Sequence, residues 1–171
     1  MYHRLGQYQD LPAPTPEETL DVMRRLAMDA QMDLGLRQLV EDIVRDVWPH
    51  DYLSEYVAIL NHVRQHIRYV RDPITIEQVA TPQATLRKRT GDCDDQAILI
   101  ATLVGLIGGR SRFVAGAFRK APDGRSVLEH VWCEAYEPRG KFWVALDPIP
   151  GRNVPQMLGR VVDTLVGAGV E

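Results

Sequence analysis

Cys93 stands in the string Gly91-Asp92-Cys93-Asp94-Asp95-Gln96, and this setting decides whether its sulfur is a nucleophile or a small core hydrophobe. Asp92 and Asp95, three residues apart, suit the N-cap and third position of a helix, so Cys93 falls in the first turn. A thiol there feels the positive end of the helix dipole and nearby unpaired amides, both of which favour the thiolate. The same amides can receive the oxyanion that forms when a thiolate attacks a carbonyl. Asp92, Asp94 and Asp95 act in the opposite direction, because their charge raises a thiol pKa. A neighbouring cation has to offset them, and a protonated histidine is the usual one. A buried core thiol is the commoner fate of a lone cysteine. The place at a helix start, between carboxylates, counts against it here.

A histidine of the required kind lies in Glu129-His130-Val131-Trp132-Cys133-Glu134, which reads as a strand. Alternation puts His130, Trp132 and Glu134 on one face and Val131, Cys133 and Ala135 on the other, so Cys133 points away from His130. The next strand, Lys141 to Asp147, ends in a carboxylate followed by Pro148. A short loop between the two strands brings Asp147 near the start of the His130 strand. A carboxylate on one ring nitrogen fixes the tautomer and leaves the other nitrogen free to take a thiol proton. Nucleophile, base and orienter thus sit on three separate elements.

Those elements can be traced from the amino terminus. Thr15 and Glu18, with Pro16 between them, read as a capping box that opens a helix running to about Ala30. A second helical pattern has apolar positions from Leu36 to Val47 and ends at Trp48-Pro49. A third stripe, Tyr52, Tyr56, Ile59, Leu60, Val63, Ile67 and Val70, runs until Asp72-Pro73. Ile74 to Ala80 is expected to be extended, and Thr81-Pro82 caps a short helical turn through Leu86. Ala97 to Ile107 is apolar nearly all round and too long for a strand, so it is expected as a buried central helix. Strands follow at Ser111 to Arg119, Val127 to Glu137 and Lys141 to Asp147. Helices first and an antiparallel sheet afterwards mean an α+β fold. The tail from Pro148 carries a weak helical pattern over Gln156 to Val166. The expected organisation is one domain over 1–171, with a helical part at 16–48, a core over about 52–150 and a tail at 151–171.

The string Gly91-Asp-Cys-Asp-Asp-Gln-Ala97 with its apolar helix, then His130-Val-Trp with Glu134, then Trp143 and Leu146-Asp147-Pro148, resembles the transglutaminase-like core, particularly its short bacterial and phage-encoded versions. The motifs span about Ile67 to Pro148. The resemblance implies a papain-like arrangement with Cys93, His130 and Asp147 as catalytic triad; the residues themselves lead to no expected cofactor or metal. Members of the superfamily cross-link, deamidate or hydrolyse amide bonds, and some have lost activity. The implied reaction is cysteine-dependent acyl transfer through a thioester on a protein or peptide. The competing class is a catalytically silent structural or assembly module, of phage or prophage type.

Composition excludes other classes. A chain of 171 residues that is 45% hydrophobic can bury a core without disulfide or metal staples. A formal net charge of −3 gives no global attraction to nucleic acid or anionic lipid, and neither is expected as a partner. The densest basic run, Arg87-Lys88-Arg89, reads as a solvated loop. Two cysteines are too few for a disulfide framework, and no segment reaches membrane-spanning length, so the expected location is cytoplasmic at synthesis, with virion association for a phage-type member. His62 and His66 have metal-ligand spacing, but Val63 stands where a zinc-peptidase glutamate would be. Asp92, Asp94 and Asp95 could hold calcium, although helix capping accounts for Asp92 and Asp95 without it. Trp132 and Trp143 read as cross-strand partners before groove residues. Gln78 and Gln83 are candidates for a second oxyanion donor.

Overall fold

The order of elements follows the sequence closely, and the structure, a computed structural model, describes residues 8–11, 14–71, 77–149 and 163–170. Strand β1 (Tyr8–Leu11) precedes helix α1 (Pro16–Ala30). The capping box forms as its residues require: the Glu18 amide donates to Thr15 Oγ1 at 3.2 Å, and the Thr15 amide donates to Glu18 Oε2 at 2.8 Å. Its buried face carries Leu20, Met23, Leu26, Ala27 and Ala30. Helix α2 (Leu34–Ile43) starts at Asp33, whose carboxylate accepts from the Leu36 amide. It ends several residues before Trp48-Pro49, and turns lead on to α3 (Tyr52–His66).

Helix α3 stops short of the expected Val70. Beyond Ile67 the backbone turns extended as β2 (Arg68–Tyr69), which pairs in parallel with β4 (Thr90–Gly91). The Arg68 and Val70 amides donate to the carbonyls of Arg89 and Gly91. Those bonds replace the helical ones that the apolar stripe had suggested. Between these strands come β3 (Glu77–Ala80), antiparallel to β1, and α4 (Pro82–Lys88), capped by Thr81. The expected extended stretch from Ile74 is observed from Glu77 on; Asp72-Pro73 and Ile74 lie outside the described residues.

Helix α5 (Cys93–Leu106) runs through the core, with Ile98, Leu99, Ile100 and Leu103 at 0% exposure. Each such side chain contributes roughly 1.5–3 kcal/mol on burial. It packs on the sheet formed by β5 (Ser111–Lys120), β6 (Ser126–Glu137), β7 (Phe142–Leu146) and β8 (Asp163–Val170), in the order β7-β6-β5-β8 with antiparallel neighbours throughout. Val131, Cys133 and Ala135 face the α5 core, while Trp132 packs on Val114 and Ala145 across the opposite face, as alternation requires. The helical expectation for Gln156 to Val166 fails where it can be compared: residues 163–166 belong to β8, and the preceding ones lie outside the described residues. The exposed amide and carbonyl edge of β5 claims this segment as a strand, which no local periodicity announces. Among the described residues no helix is long and apolar enough to cross a membrane.

Candidate active site

Asp92 caps α5 as its spacing predicts, with Oδ1 accepting from the amides of Asp94 at 3.1 Å and Asp95 at 3.3 Å. Cys93 is therefore the first residue of the helix, partly exposed at its positive end. The helix start is fixed from below. Asp95 is buried, and its Oδ1 accepts from the Ala80 amide at 2.7 Å. Gln96 donates to the Gly91 carbonyl at 2.9 Å. A Cβ on Gly91 would lie 2.7 Å from Asp95 Cβ, so this approach needs glycine.

His130 and Asp147 come together as the strand pairing requires. Pairing of Cys133 with Leu146 in the β6–β7 ladder puts the end of β7 beside the His130 strand. His130 Nε2 lies 2.8 Å from Asp147 Oδ2, and both side chains are buried. A carboxylate only accepts, so Nε2 donates and a neutral ring carries its lone pair on Nδ1. Nδ1 is buried and has no hydrogen-bond partner among the described residues. Asp147 is held at two further points: Oδ1 accepts from the Ile149 amide at 3.1 Å, and its backbone carbonyl accepts from Arg64 of α3 at 2.8 Å. Neither contact has a sequence signal, since Arg64 reads only as a polar position on a helix. Trp132 lies over the histidine, with ring centroids 5.9 Å apart. Gly116, opposite His130 in β5, leaves room for that indole; a Cβ there would sit 2.8 Å from it.

Cys93 and His130 line one cleft of about 330 Å³, walled on the other side by α1 residues including Leu20 and Met23. The sulfur does not hydrogen-bond to His130. It donates to Asp94 Oδ1 at 3.4 Å and receives the backbone N–H of Val131. Burial, then the charges of Asp94 and Asp92, hold the thiol pKa well above the usual cysteine value, and the Val131 amide pulls the other way. The carboxylates of Asp94 and Asp92 thus act against the thiolate, as their place in the sequence implies. Cys133 is fully buried and its thiol pKa is also raised by burial, in keeping with a core residue.

The remaining candidates have other roles. Gln83 donates to Asp33 and Gln78 to Asp10, and neither borders the Cys93 cleft, so the structure does not bring a second oxyanion donor from them. Trp143 lies beneath the Arg112 guanidinium, which ion-pairs with Glu134, on the sheet face away from α5. His62 and His66 stack at 4.1 Å between ring centroids, and His66 Nδ1 donates to the His62 carbonyl, which leaves no shared chelating geometry. Asp92, Cys93 and Asp94 bring three possible ligand atoms within 4.8 Å of one another, but Asp92 Oδ1 is engaged by the two capping amides.

The fold matches solved structures of low sequence similarity. One is a candidate protease from Parabacteroides distasonis, 14% identical, with a TM-score of 0.65 over 92% of this chain and 31% of that one. Another is a candidate cysteine protease from Cytophaga hutchinsonii, 16% identical, with a TM-score of 0.57 over 95% of this chain and 59% of that one. The chain therefore spans about a third of the first and under two thirds of the second. No curated protein matches it. The family model of the transglutaminase-like superfamily matches residues 37–148, which hold Cys93, His130 and Asp147, and the chain belongs to that superfamily.

Proposed function

We propose that the protein is an enzyme of cysteine-dependent acyl transfer that acts on amide bonds of a protein or peptide, with Cys93 as nucleophile, His130 as base and Asp147 as orienter. The observation that carries this reading is the buried His130–Asp147 pair at 2.8 Å, which leaves His130 Nδ1 unpartnered in the wall of the cleft that Cys93 also lines. The reaction then takes four events, three of acylation and one that resolves the thioester. Rotation of Cys93 about χ1 moves the thiol from Asp94 to Nδ1, which takes its proton. The thiolate attacks the carbonyl carbon, and the oxyanion sits at the α5 start, where the Cys93 amide has no helical acceptor. The imidazolium, held by Asp147, returns its proton to the departing amine as the C–N bond breaks. A thioester on Cys93 remains, and water or an amine attacks it with His130 again as base.

A second reading, a silent module of the same fold, is favoured by one observation: Asp94, rather than His130, accepts the Cys93 thiol, and its charge favours the protonated form. The two readings separate on acylation. The protein is mixed with p-nitrophenyl acetate at neutral pH and its intact mass followed. An acetyl adduct that maps to Cys93, and that is lost in His130→Ala, supports the enzyme. A protein that gains no adduct on Cys93 while staying folded supports the silent module.

A further inference from the structure

We infer that the face formed by the end of α3, strand β2 and the end of α4 is a docking site for an acidic stretch of polypeptide. Two basic runs far apart in sequence meet there: Arg64, Arg68 and Arg71 in one, and Arg87, Lys88 and Arg89 in the other. The parallel β2–β4 ladder joins them, with Arg68 paired to Thr90 and its amide bonded to the Arg89 carbonyl at 2.9 Å. All six cationic residues are exposed. Arg68, Arg71, Arg87 and Arg89 take part in no ion pair among the described residues, and Arg64 donates to a neutral carbonyl, so its charge is not cancelled there.

Neither 61–71 nor 81–91 contains an aspartate or glutamate. The chain has a formal charge of −3, and with these six cations set apart the remainder carries −9. The sequence-level expectation that Arg87-Lys88-Arg89 is merely a solvated loop treats that run alone; its partner run appears only once β2 and β4 pair. The face also has depth. A hollow of about 440 Å³ is bordered by Arg64, His66, Arg68, Tyr69, Gln96 and Pro148, with no carboxylate among them. Two guanidiniums at the rim of a hollow match carboxylate geometry.

Pro148 follows Asp147 directly, and Arg64 touches both the hollow and the Asp147 carbonyl, so the docking face adjoins the candidate active site. The choice of polypeptide as the anionic partner rests on the acyl-transfer reading given above. Charge distribution points the same way: a compact acidic segment spans only the basic face, whereas a long nucleic acid would also meet the −9 remainder.

The test is equilibrium binding, with no turnover required, so it is independent of whether Cys93 is catalytic. A fluorescein-labelled decaglutamate peptide is titrated with Cys93→Ala protein at low salt, beside a decaglutamine peptide and a labelled ten-nucleotide oligothymidylate. Decaglutamate is expected to bind, decaglutamine not, and the affinity to fall as salt rises. The triple change Arg68→Gln, Arg87→Gln, Arg89→Asn is expected to weaken binding about tenfold or more. Asparagine is chosen at Arg89 because its φ of 55° lies in the left-handed region, which asparagine tolerates. Arg71→Gln, outside the ladder, provides a second variant if the triple one melts early, and is expected to weaken binding about two- to threefold. Tighter binding of the oligothymidylate would reassign the face to nucleic acid. Self-association lost in the same variants would assign it to a second copy of the chain. Absence of decaglutamate binding, or binding that neither variant weakens, overturns the proposal.

Discussion

Asp147 grips His130 through one carboxylate oxygen, at 2.8 Å from Nε2, and spends the other on the Ile149 amide at 3.1 Å. This division determines what each substitution does. In Asp147→Asn the side-chain oxygen can keep the Ile149 amide, which turns the NH2 group toward Nε2. The imidazole must then place its proton on Nδ1, and the lone pair there that would take the thiol proton is lost. The acylation rate with an activated ester should fall about 10²- to 10⁴-fold, with the fold retained by circular dichroism. His130→Ala should cost more than Asp147→Asn in the same assay, because it removes the base itself. An Asp147→Asn protein with unchanged acylation would remove the orienting role.

Alkylation should separate the two cysteines. With limiting iodoacetamide, Cys93 in its cleft should label before Cys133, which is fully buried between the sheet and α5. The raised thiol pKa of Cys93 means that its labelling is slow at neutral pH and accelerates as pH rises. Asp94→Asn removes a neighbouring negative charge, so the thiolate becomes easier to form, the pKa moves down and labelling at pH 7 speeds up several-fold. Peptide mass mapping across pH 6–10 measures this. Equal labelling of Cys93 and Cys133 in the folded protein would make Cys93 a core residue.

Gly116→Ala tests the packing that seats the indole beside the histidine. The new Cβ would stand 2.8 Å from Trp132, a rigid ring already packed on Val114 and Ala145. Either the ring or the β5 backbone has to shift, at an expected cost of about 1–3 kcal/mol. Urea titration should show a lower midpoint at unchanged slope, and acylation should slow because His130 loses a wall of its site.

Glu55 supplies a pH-dependent term outside the candidate site. It is buried in α3, one of its oxygens lacks a partner among the described residues, and desolvation raises its pKa despite the His50 amide. A raised carboxyl pKa means that the folded state binds the proton more tightly than the unfolded one. The stabilisation is complete below the unfolded pKa and is lost as pH rises through the folded value. Glu55→Gln should therefore raise the melting temperature at pH 7 by about 1–3 °C. The difference should vanish toward pH 4. A lower melting temperature at pH 7 would show that the charged form is the stabilising one.

Local chemistry was enough to place most elements. Thr15 with Glu18, and Asp92 with Asp95, mark helix starts because a cap is a contact within one turn. The unbroken apolar run of α5 and the period-two strands around His130 and Trp143 are likewise written within a few residues. The nearness of His130 and Asp147 was legible because a short hairpin restricts the register. What depended on distant partners was not legible. The β2–β4 ladder ended α3 early and joined two basic runs, and the β5 edge turned residues 163–166 from a helical pattern into a strand. The resting direction of the Cys93 thiol was also decided in three dimensions. Its sulfur lies between Asp94 and the Val131 amide, and burial is the largest influence on its pKa, because desolvation depends on what the rest of the chain packs around a group and not on its sequence neighbours.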